Sequence, residues 1–99
     1  MLKHIRIQAN GTVVDADRNT HVTRQSANDG PDRVQWLRVP GNTGTFTVRF
    51  ASSPFTSGAQ DINVPGAPNT ASQATATYKY SVLDDSGTVK DDPNVIIES

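Results

Sequence analysis

GTFTVRF, residues 44–50, decides the fold class of this 99-residue chain. Phe46, Val48 and Phe50 fall on one side of an extended backbone, and Thr45, Thr47 and Arg49 on the other. Successive side chains of a strand point to opposite faces, so this alternation predicts a strand with one face in a core and one in water.

The same period recurs on both sides of it. ATATYKYSV, residues 74–82, places Ala74, Ala76, Tyr78, Tyr80 and Val82 on one face, two small residues followed by two aromatics and a valine. Upstream, RVQWLRV aligns Val34 with Trp36 and stops at Pro40-Gly41. LKHIRIQ, residues 2–8, sets Leu2, Ile5 and Ile7 near one face, and Asn10-Gly11 then predicts a two-residue hairpin turn into TVV. NTHVTRQ reads as a weak strand around Val22, and SANDGPD as a loop. Residues 51–73, rich in Ser, Pro, Gly, Ala and Asn, read as one long loop with an edge strand near DINV. DDSG turns the chain, and NVIIE closes the fold after Pro93.

No window carries the i, i+3, i+4 apolar spacing of a helix. Six to eight short strands separated by turn residues predict an all-β chain. The expected architecture is an antiparallel Greek-key β-sandwich, a single domain over residues 1–99, cupredoxin-like or immunoglobulin-like.

Composition narrows function mainly by exclusion. A net charge of −1 gives no overall field for nucleic acid or membrane. The first fifty residues are basic in balance and the remainder acidic, but two interleaved sheets mix the halves. With no cysteine there is no disulfide, thiolate nucleophile or thiolate metal ligand. The N-terminus alternates apolar and polar residues where a signal peptide needs an apolar run, and nothing approaches the roughly 20 apolar residues of a membrane helix. The expectation is a soluble, cytoplasmic protein, a monomer or weak dimer.

RVQWLRV, GTFTVRFASSPF, ATYKYSV and DPNVIIE together resemble a cupredoxin-like sandwich, in particular the small copper-free bacterial proteins with this strand pattern. The resemblance spans about residues 33–97 and implies a fold rather than an activity. A blue-copper site needs two histidines and a cysteine with a weak axial ligand. The corresponding loop here, SVLDDSGTVKDDP, holds no Cys, His or Met, and the histidines His4 and His21 both lie in the first quarter of the chain. The frame is expected without the metal, and no cofactor is expected.

Other constellations are thin. Asp15, Asp17 and Asn19 have the opening spacing of a calcium loop, but Thr20 and Ser26 stand where its Gly and Glu belong. Asp84, Asp85, Asp91 and Asp92 make two acidic pairs around one turn, suited at most to weak ligand or divalent-cation contact. Asp-Ser-Gly is also turn chemistry in its own right. Serines are frequent, but no nucleophile elbow or phosphate loop appears, and neither histidine is placed as a base. Trp36 is the single candidate sugar-stacking platform, although its alternation with Val34 points to the core. Arg33, Arg38 and Arg49 with Thr45 and Thr47 make a polar, partly basic face without the aromatics that stack bases.

The expected function is therefore a non-enzymatic structural or protein-interaction module, its contacts in the 51–73 loop and the 84–92 turn. The alternative is a small-ligand or carbohydrate-binding module using Trp36 or exposed tyrosines.

Overall fold

The computed structural model describes residues 1–24 and 30–98; the first four residues of the loop expected over SANDGPD, residues 26–32, lie outside the described residues. Among the described residues the chain is all-β, with nine strands and one 3₁₀ turn, Asp15–Asp17. The strands are β1 (Leu2–Ile7), β2 (Asn19–Thr23), β3 (Arg33–Arg38), β4 (Phe46–Phe50), β5 (Asp61–Val64), β6 (Asn69–Thr70), β7 (Ala76–Leu83), β8 (Val89–Asp91) and β9 (Asn94–Glu98).

They form two sheets. The smaller has the order β1-β3-β6; the larger runs β2-β9-β7-β4-β5, with β8 continuing β9's side of β7. Buried residues from both sheets make one core, including Ile5, Ile7, Val34 and Trp36 from the smaller and Val48, Phe50, Tyr80, Val82, Val95 and Ile97 from the larger. This is a β-sandwich.

GTFTVRF behaves as its alternation predicts. Phe46, Val48 and Phe50 are buried, Thr47 is half-buried and Arg49 exposed. Val48 lies opposite Ile62 on one side and Val82 on the other, and Phe50 lies opposite Tyr80, so the apolar face of β4 continues across three strands. Above it Trp36 meets Tyr80, Phe55 and Phe50 edge-on, with ring centroids 5.4, 5.9 and 6.0 Å apart. Each such pair contributes on the order of 1 kcal/mol beyond its area burial.

Four details depart from the sequence expectation. The sandwich is not purely antiparallel: β1 pairs β3 in parallel, and β2 pairs β9 in parallel. Alternation reports which face of a strand is covered and is silent about the direction of its neighbour. The chain crosses from one sheet to the other between β1 and β3, which a parallel pair requires. Second, the Asn10-Gly11 turn is longer than two residues. Only Gly11 takes positive φ, at 88°, while a two-residue turn of the expected type needs both central residues there. The loop closes instead through Gln8 N–H to Thr12 O at 2.8 Å and Gly11 N–H to Gln8 O at 2.9 Å.

Third, two apolar faces are shorter than the pattern suggests. Tyr80 and Val82 are buried, but Ala74 and Ala76 are exposed and Tyr78 is half-buried, although Ile97 and Val95, opposite Ala76 and Tyr78, are fully buried. Leu2 likewise faces outward, opposite Arg33. Fourth, residues 51–73 are not one loop. They contain β5, as expected, and also β6. Phe55 is fully buried and bridges Ala71, Thr56 N–H donates to Thr70 O at 2.9 Å, and Pro54 O accepts from Ser72 N–H at 3.2 Å.

Candidate functional site

At one end of the sandwich three turns converge: residues 8–11 after β1, the connection from β3 to β4, and the turn between β7 and β8. They enclose an open depression of about 400 Å³ lined by Ala9, Asn10, Gly44, Thr45, Phe46, Asp84, Asp85, Ser86 and Lys90. A second depression of about 370 Å³ shares Thr45, Phe46, Asp84 and Asp85 and continues to Thr47, Asn63, Val64 and Pro65. Together they make a shallow groove lined by both apolar and polar residues.

Each wall is held by hydrogen bonds, some within one turn and some between turns. Asn42 is buried, and its side-chain amide donates to Ile7 O at 3.1 Å and Gln8 O at 3.0 Å, while its Oδ1 accepts from Gly44 N–H at 3.0 Å. One side chain thus ties the β3–β4 connection to the end of β1. Arg38 donates to Gly44 O at 2.9 Å and fixes the same segment. At Gly44 the fit is close: an added Cβ would lie 3.1 Å from the Phe46 ring, which would have to give way slightly. Gly11 is required twice over, by its left-handed backbone and because Cβ and Cγ of Lys90 would lie 2.6 Å from an added Cβ.

The Asp-Ser-Gly turn is ordered by Asp84. Its Oδ1 accepts from Ser86 N–H at 3.0 Å, Ser86 Oγ at 2.7 Å and Thr88 N–H at 3.0 Å. The Ser86 hydroxyl, then the Thr88 amide, with smaller help from Lys90, hold the Asp84 carboxyl well below the usual range, at about 2. Lys90 Nζ lies 3.5 Å from Asp84 Oδ2. Asp85 accepts a hydrogen bond from the Thr45 hydroxyl, joining the turn to the edge of β4.

The four acids of the sequence motif therefore divide. Asp84 and Asp85 rim the groove. Asp91 turns inward, accepting from Val13 N–H at 2.8 Å and from the Arg18 guanidinium. Burial opposes its ionisation, yet the Arg18 hydrogen bond and the Val13 amide outweigh it and leave the carboxyl below its ordinary value. Asp92 is exposed, 3.4 Å from Lys79. Among the described residues no group of three His, Cys, Asp or Glu side chains converges to hold a metal ion.

The remaining candidates take framework positions. Trp36 is 2% exposed, so it offers no ring face to a sugar, and Tyr80 is 1% exposed. Tyr78 spends its hydroxyl on Ala74 O at 2.7 Å. Burial pushes the Tyr80 phenol far up; its oxygen and the Trp36 Nε1 are both buried without a hydrogen-bond partner. Asp17 forms a two-pronged pair with the Arg6 guanidinium, at 2.8 and 3.2 Å, and also accepts Arg6 N–H at 2.9 Å; the calcium-like spacing serves the crossover from β1 to β2. His4 is exposed on β1, and His21 pairs with Glu98 on the outer face of the larger sheet. The proposed basic face does not form: Arg33 lies on the smaller sheet, Arg49 on the larger, where it pairs with Asp61, and Arg38 donates to Gly44 O.

Sequence reasoning missed Asn42, the residue that organises the site. Its signal was Gly-Asn-Thr-Gly after a strand, turn chemistry in which a short amide bonds nearby backbone. No helix among the described residues is long and apolar enough to cross a membrane. No family model, no curated protein and no solved structure matches this chain.

Proposed function

We propose that this protein is a non-enzymatic interaction module, a cupredoxin-like sandwich without copper whose grooved end receives another protein. The observation that carries the reading is the pinning of that end. Asn42, Asp84 and the Thr45–Asp85 contact bind three separate turns into one surface. A surface ordered in advance loses little conformational entropy on docking, and loops on a rigid sandwich are where recognition tends to be built. Residues 51–73, expected to share the contact, contribute through Asn63, Val64 and Pro65 at the far end of the groove.

The test is site-specific photo-crosslinking in the cells that make the protein, with a benzophenone side chain at position 63, an exposed position of the groove, and, for comparison, at position 49 on the open sheet face. A single defined adduct from position 63, absent from position 49, supports the module. Identical adduct patterns from both positions, or none from position 63, end the proposal. Turnover in a substrate screen that one side-chain change abolishes would equally end it.

The size of the groove favours one second reading, a small-ligand module. A depression of about 400 Å³ is within the range of ligand sites. Recognition would then rest on Asn10, Thr45, Asp85 and Ser86 rather than on Trp36. Native mass spectrometry of the untagged protein from its own cells separates the two, since only this reading gives a small added mass.

A further inference from the structure

We draw no further inference here: the strongest candidate, the pair of depressions around Thr45, Phe46, Asp84 and Asp85, belongs to the site already described, and nothing in the structure shows what covers it.

Discussion

The connection from residue 51 to 60 and the turn from 84 to 88 share serine, threonine and glycine, yet they are ordered by opposite means. The first is anchored from inside. Phe55 is fully buried against Trp36 and Phe50, with centroids 5.9 and 5.7 Å away, and the backbone on either side bonds to the Thr70–Gln73 segment. The second is anchored near its surface, by one half-buried carboxylate that collects three donors. Length is therefore a poor guide to freedom in this chain. The longer segment is part of the core, and the shorter one, with no side chain in the core, shapes the groove.

The largest expected effect follows from that anchor. Phe55→Ala should cost about 3–5 kcal/mol, the usual figure for deleting a buried aromatic ring, read from the denaturant midpoint. A loss below about 1 kcal/mol, within the scatter of ordinary surface substitutions, would mean the connection is not held from within.

Asn42→Ala comes next. It removes the donor to Ile7 O and Gln8 O and the acceptor for Gly44 N–H, a loss of roughly 2 kcal/mol for buried backbone groups left unpaired. Amide exchange at Gly11 and Gly44 should quicken in the same variant. Unchanged exchange at both would remove Asn42 from its role as the tie between the turns.

These two residues also mark what the sequence discloses. Phe46, Val48 and Phe50 declare the face of β4 by alternation alone, and Trp36 is placed in the core by its spacing from Val34. The Asp84 turn is equally readable, because its bonds reach only two to four residues along the chain. Asn42 bonds residues 34 and 35 positions away, a separation no local pattern encodes. The parallel pairings escape for the same reason.

Acidity tests the carboxylate ties collectively. Asp17, Asp32, Asp84 and Asp91 all have folded-state pKa values below their ordinary ones. Their contribution is present above the unfolded carboxyl value, near 4, and disappears as pH falls through the lower folded values. The melting temperature should hold steady above about pH 5 and fall between about pH 4 and 2, with a shallower fall in Asp91→Asn. An identical slope in that variant would show that the Arg18 contact is not linked to folding.

The smallest effect is expected deep in the core. Tyr80→Phe removes a buried hydroxyl that has no partner, so stability should stay within about 0.5 kcal/mol of the parent or rise. A loss above about 1 kcal/mol would reveal a hydrogen bond between the Tyr80 hydroxyl and the Trp36 indole, joining the two sheets.

The parallel pairing of β2 with β9 has a consequence for biosynthesis. Asn19 and Asn94 sit side by side although 75 residues separate them along the chain. At ribosomal speeds of roughly 5–20 residues per second, β2 is made several seconds before the strand that completes its ladder. Throughout that interval the nascent large sheet lacks β9, the member that joins β2 to β7. A ribosome-bound chain paused short of Asn94 should therefore present β2 to proteases and chaperones, and resistance should arrive abruptly once the last strand clears the exit tunnel.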